Sequence, residues 1–280
     1  MSSTDQYYIE KNVRKSGTSF FWGMKRLPKE QKRAMFALYA FCREVDDIAD
    51  EKNLKKINKL NQISEWEKKI NSIFKERKFK DSLSKELSEA VKRFDLSKSD
   101  FISIIKGMKM DINEDIKFPS KKKFELYCDR VAVAVGYISI NIFGIRSSEG
   151  KNYAFNLGRA FQITNIVRDF KEDANRSRCY VPINYLKKYK LKKNLKDVCE
   201  SSKLNLILQD LLEEANSYFS KSNKISLKLD SNKIKASETM KLFYETIHQK
   251  MYKKKINLDK KIKLNFFEKL KIFIKIILRG

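Results

Sequence analysis

The stretch PKEQKRAMFALYAFCREVDDIAD, Pro28 to Asp50, closes on three carboxylates within about one helical turn, just behind an arginine. Pro28 suits the first turn of a helix, and the residues after it read as one helix to about Asp50. On that helix Tyr39, Arg43, Asp46 or Asp47, and Asp50 follow steps of three or four and share a face. Carboxylates one turn apart repel each other and pack poorly, but they make a mount for a hard cation. Mg²⁺ prefers oxygen ligands, takes one or two carboxylates and completes its shell with water and substrate phosphate. A solvated acidic face is the competing reading, and this segment alone leaves both open.

A second segment, GRAFQITNIVRDFKED (158–173), tips the balance. It belongs to a helix expected from about Lys151 to Asp173, with Gln162, Asn165, Asp169 and Asp173 on one face. Phe161, Ile163, Ile166 and Val167 supply the apolar remainder that buries it. Polar stripes on otherwise apolar helices need partners inside a fold, because unpaired buried charge is costly. Two such stripes facing across a cleft repel unless cations lie between them. Arg176, Arg178 and Tyr180 follow at once. Guanidinium forks match phosphate oxygens, although Arg176 alone reads as part of a solvated loop.

The chain around these segments is helical in character. Eight Gly and three Pro in 280 residues are few, and long helices avoid both. Further helices are expected over about 53–76, with a stripe of Ile57, Leu60, Ile63, Trp66 and Ile70, and through FISIIKGMKMDI behind a Ser99 cap. Others run from Ser120 to near Gly144, over 203–228 and over 232–253. No repeat or Gly/Ser linker divides the sequence, so one all-α domain spanning 1–280 is expected. Four scattered cysteines, without a CxxC pair, suggest neither a zinc site nor a disulfide framework and point to a reducing cytoplasm. The N-terminus lacks the apolar core of a signal peptide, and the apolar run Val131–Gly144 is too short to span a bilayer.

These motifs identify a resemblance. SGTSFFWGMKRLP with ALYAFCREVDDIADE, and LGRAFQITNIVRDFKEDANRSRCYVP, resemble the two signatures of the squalene/phytoene synthase family, head-to-head prenyl diphosphate synthases. GMKMD (Gly107 to Asp111) and YCDRVAVAVGYISINIFG (Tyr127 to Gly144) support it. SGTSFFWGM, CREVDDIADE and YCDRVA are closest to its presqualene diphosphate synthases. Phytoene and dehydrosqualene synthases more often carry Tyr at Asp129 and Gly at Val133, and the family commonly has Gly at Ser177.

The resemblance implies an isoprenoid synthase-type helical bundle around a central cavity. It implies that two or three Mg²⁺ ions are bound by Asp46 and Asp50 from one side and by Asn165, Asp169 and Asp173 from the other, with Asp47 supporting. Ser19, Tyr39, Arg43, Gln162, Arg178, Tyr180 and Tyr244 would contact diphosphate, with Asn165 beside them. The expected reaction joins two farnesyl diphosphates into presqualene diphosphate, without NADPH. The alternative within the family is phytoene synthase, acting on two C20 chains.

Other features stay open between two readings. Ala132, Gly136 and Ile140 form a low-bulk track that suits either a prenyl-chain wall or close helix packing. Residues 262–280 include Phe266, Leu270, Phe273, Ile274 and Ile277 at helical spacing among basic residues. Such a helix lies in an anionic membrane interface or packs on the protein's own core. His248, the only histidine, is expected at the surface. A net charge of +26 attracts polyanions of any kind. A non-catalytic assembly protein or a basic binding module is therefore the alternative of another class. The assembly protein would be expected to lose the metal carboxylates, all of which are present; the basic module would bind DNA with a steep salt slope and show no Mg²⁺-dependent turnover. No nucleic-acid partner is expected, and the oligomeric state is not legible.

Overall fold

The computed structural model describes residues 3–15, 20–75, 79–113, 116–253 and 262–278, and among them every regular element is helical. In chain order these are α1 (Ser3–Lys15), α2 (Phe20–Lys25), α3 (Lys29–Asp50), α4 (Lys56–Ile73) and α5 (Ser82–Phe94). Then come α6 (Lys98–Ile112), α7 (Lys121–Cys128), a π-helical turn at Asp129–Val133, and α8 (Ala134–Ile142). They are followed by α9 (Ser148–Arg168), α10 (Phe170–Ala174), α11 (Ile183–Lys188) and α12 (Leu195–Glu200). The long helices α13 (Leu204–Ser226) and α14 (Ser231–Tyr252) precede α15 (Phe266–Leu278).

Local chemistry sets most of the boundaries. Pro28 caps α3 instead of entering its first turn, and its carbonyl accepts from Lys32 N–H at 2.8 Å. Asp81, Ser120 and Ser147 each accept a backbone N–H at the start of α5, α7 and α9. The expected Ser99 cap is corrected: α6 starts at Lys98, and the Ser99 hydroxyl lies 2.8 Å from that of Ser97, which occupies the cap position. The helix expected through Asp173 breaks at Asp169, whose φ of −99° and ψ of 7° end α9. Even so, Asp169 N–H donates to Asn165 O at 2.8 Å and Asp173 N–H to Asp169 O at 3.0 Å. The hydrogen-bond register carries across the break, and with it the polar stripe.

α9 is the central element, packed on α13, the π-turn and α8. One core joins α3 to α6, where Phe41 meets Trp66 and Phe101 at ring centroids 5.3 and 5.6 Å apart. Each fully buried ring of this kind contributes about 1.5–3 kcal/mol. A second core lies under α9, α13 and α14. Ile57 corrects the expected α4 stripe: it is exposed, while Ile63, Trp66 and Ile70 are buried. His248 corrects another expectation, being fully buried on α14 between Phe219 and Tyr252. The helical period that leaves Gln249 half-buried turns His248 inward. No helix among the described residues is long and apolar enough to cross a membrane.

Candidate active site

The polar stripes meet at one end of a cavity of about 420 Å³ enclosed by α2, α3, α6, the π-turn, α8, α9 and α14. Arg43 and Asp46 of α3 and Gln162 and Asn165 of α9 line that end, with Tyr39 and Tyr244 beside them. Elsewhere the wall is apolar, with Met24, Leu38, Ile104, Met108, Val131 and Leu157 prominent. Asp50 lies one turn beyond Asp46, and Asp169 and Asp173 continue the α9 stripe.

Electrostatics ties these carboxylates into one group. Burial pushes the Asp46 carboxyl up to about 6, with Asp50 and Asp111 adding repulsion. Asp46 faces the cleft and remains wetted, yet protein crowds it on the other sides. Burial, then Asp169, raises Asp173 to about 7, and Asp111 and Asp50 add to it. Asp50 of α3 thus acts on Asp173 of α10 across the cleft. Burial also works against Asp50, but Arg178 and Arg176 outweigh it and hold its carboxyl below the ordinary range.

The arginines are arranged around the acids. Arg43 reaches Asp47 at 2.6 Å and Asp46 at 3.4 Å. Arg178 donates to Asp50 at 2.5 Å and to Ala49 O at 3.1 Å. Arg176, in the loop after α10 and exposed as its reading as a solvated loop residue expects, also pairs with Asp50. Ser177 between them adopts φ +59°, a conformation that favours Gly. Backbone bonds of 2.9 Å from Ser177 N–H to Ala174 O and from Arg178 N–H to Asp173 O hold that turn.

Several residues lie where the sequence did not place them. Tyr180 is buried, donates to Asp111 Oδ1 at 2.7 Å and stacks on Tyr127, so it does not line the cavity. Phe161 lines the cavity as well as packing against the core, and it stacks on Tyr244 at 4.1 Å, with Phe20 on Tyr244 at 5.2 Å. Ala132, Gly136 and Ile140 all line the wall, and Gly136 serves packing as well. A Cβ there would lie 3.1 Å from Ala154 O. Ser19 lies outside the described residues.

Sequence reasoning missed Asp111, Tyr127 and Arg168. Asp111 is buried at the end of α6 and accepts from Tyr127 and Tyr180, each at 2.7 Å. Burial pushes its carboxyl up despite Arg178 and the two hydroxyls. A lone acid in the apolar run FISIIKGMKMDI was the available signal. Arg168 pairs with its neighbour Asp169 at 2.5 and 2.9 Å, a contact that helical spacing does not foretell.

The donor set fits a hard divalent cation. Asn165 Oδ1 is buried with no hydrogen-bond partner, and the raised Asp46 and Asp173 carboxyls mark uncompensated negative charge. Among the described residues no three carboxylate, thiol or imidazole groups close around one point.

The sequence profile of the squalene/phytoene synthase family matches residues 13–268. The presqualene diphosphate synthase of Zymomonas mobilis subsp. mobilis is 36% identical over 234 residues, 84% of this chain and 80% of the relative. Phytoene synthase 2 of Solanum lycopersicum is 36% identical over 171 residues, covering 59% and 54% of the two chains. A crystal structure of a dehydrosqualene synthase in complex with ligand superposes with a TM-score of 0.83 at 24% identity, covering 98% of this chain and 96% of that one.

Proposed function

The chain belongs to the squalene/phytoene synthase family and is a prenyltransferase, and on that premise we propose that it joins two farnesyl diphosphates head to head into presqualene diphosphate. The observation that carries this reading is that Asp46 of α3 lines the polar end of an otherwise apolar cavity beside Gln162 and Asn165 of α9, with Asp50, Asp169 and Asp173 electrostatically coupled next to it. The extent of similarity to the presqualene diphosphate synthase of Zymomonas mobilis, over most of both chains, favours it over phytoene synthesis.

Asp46 and Asp50 would hold Mg²⁺ from one side, and Asn165, Asp169 and Asp173 from the other. When bound, Mg²⁺ supplies positive charge to the diphosphate as it departs. Arg43 and Arg178 donate to the same diphosphate oxygens, fixed in place before the reaction begins. The first farnesyl C–O bond breaks with its electron pair on the diphosphate, leaving an allylic cation. The faces of Phe20, Phe161 and Tyr244 favour that cation over a neutral chain. The apolar wall keeps water away while an alkene of the second farnesyl adds to it. Proton loss closes the cyclopropane, so two C15 diphosphates give one C30 diphosphate, inorganic diphosphate and a proton.

The prenyl substrates also suit a peripheral position on the cytoplasmic surface of an anionic membrane. Phe266, Phe267, Leu270 and Ile274 of α15 are exposed, among Lys269, Lys271 and Lys275.

Incubation with Mg²⁺ and farnesyl or geranylgeranyl diphosphate separately, with and without NADPH, tests the central reading by product mass. Presqualene diphosphate from farnesyl diphosphate, independent of NADPH, is expected. Product from the C20 substrate alone would replace this reading with phytoene synthesis.

A further inference from the structure

We propose that the Asp129–Arg159 ion pair latches the π-turn in the cavity wall and thereby sets which prenyl chain length the cavity accepts. The inference rests on the prenyl-transfer reading above and concerns two positioning residues outside the cavity lining.

The segment Lys121–Ile142 is helical throughout, but Asp129–Val133 is wound as a π-turn, with Ala134 N–H donating to Asp129 O five residues back. A π-turn inserts one residue into a helix, is intrinsically less favourable than α, and persists where other contacts hold it. Relaxing to α geometry would rotate every following residue about 100° relative to those before it. Val131, Ala132, Val135 and Gly136 on this segment face the cavity, so its winding decides which side chains meet the substrate tail.

Contacts on three sides hold the turn. Asp129 accepts from Arg159 Nε at 2.8 Å and from Nη2 at 2.9 Å, a two-pronged pair to α9. Arg159 is fixed in turn by a 2.8 Å bond to the Tyr218 hydroxyl on α13 and by its position 4.4 Å over the Phe155 ring. Gly158, next to Arg159, lets α9 approach so closely that a Cβ would lie 2.9 Å from Val133 Cα. Across the wall, a Cβ on Gly107 would lie 2.5 Å from Val131 Cγ1. The glycines allow the close approach, and the ion pair selects the winding.

The test measures binding of unreactive farnesyl and geranylgeranyl thiodiphosphates, with Mg²⁺, to wild type, Asp129→Asn and Arg159→Lys. Inorganic diphosphate binding and thermal unfolding are followed in parallel. Wild type is expected to prefer one chain length, and both variants to lose roughly tenfold of that preference, the scale of hydrophobic-pocket discrimination. Diphosphate affinity should stay within about twofold, since the polar end of the cavity is untouched. Folded variants that keep the wild-type preference would overturn the latch and leave the prenyl-transfer reading standing. So would a wild type that binds both analogues equally, or a proportionate fall in all three affinities. A wild type that binds neither analogue would overturn both.

Discussion

Asp50 is the residue on which the site turns. Its carboxylate holds Arg178 and Arg176 from a loop more than a hundred residues away, while its α3 neighbour Asp46, with Arg43 at 3.4 Å, is pushed up to about 6 by burial and by Asp50. A diphosphate is a stronger acceptor for two guanidiniums than one carboxylate, so its arrival would release Asp50 to a cation. Asp50→Ala and Asp169→Ala are each expected to lower turnover at least about a hundredfold, the scale of losing one preorganised charge. Far-ultraviolet circular dichroism should show helix content unchanged. Near-normal steady-state rates in both variants would refute the assignment. Asp47, exposed and paired with Arg43, should tolerate Asn with a change of only a few fold. Helical spacing made the Asp stripes legible in the sequence. The Arg176 and Asp111 partnerships were not, because their partners come from distant parts of the chain.

At the scale of elements, α15 meets the core along one side. Ile272 is buried against Phe243 of α14, while Phe266, Phe267, Leu270 and Ile274 face outward. The side chains of Phe273 and Ile277 lie outside the described residues. Thirteen residues reach about 20 Å, short of a bilayer's ~30 Å core, so the helix suits an interface and not a span. Met240, three residues before Phe243 on α14, lines the cavity with Ser237 and Tyr244, so a lipid surface at α15 would lie near the chamber where the prenyl chains react. Deleting residues 266–280 should reduce co-sedimentation with anionic liposomes several fold and leave turnover in detergent much less affected. Unchanged sedimentation would remove the membrane role. The amphipathic pattern was readable in advance. The docked face was not, because Phe243 is contributed by another helix.

For the whole molecule, the buried His248 links stability to pH. Burial lowers its imidazole to about 4, against a small opposing effect from Glu213, and neither ring nitrogen has a hydrogen-bond partner. A base whose folded value lies below its unfolded value favours the fold while neutral. Stability is therefore present above about 6.5 and lost as pH falls toward 4, by on the order of 3 kcal/mol. His248→Phe, set between Phe219 and Tyr252, should raise the unfolding temperature relative to wild type more at pH 5 than at pH 8. Equal shifts at the two values would show that the imidazole does not titrate in this range.

The sequence by itself determined the all-α class, most long helices and the two oxygen-rich stripes, because a helix repeats every 3.6 residues and its chemistry is written within a few turns. Only the tertiary structure decided which face of α14 holds His248, that Tyr180 turns to Asp111, and that Phe161 faces the cavity. The π-turn too is met by tertiary packing, where Arg159 on another helix pairs with Asp129. Such choices depend on contacts between residues tens to more than a hundred positions apart, which no local pattern carries.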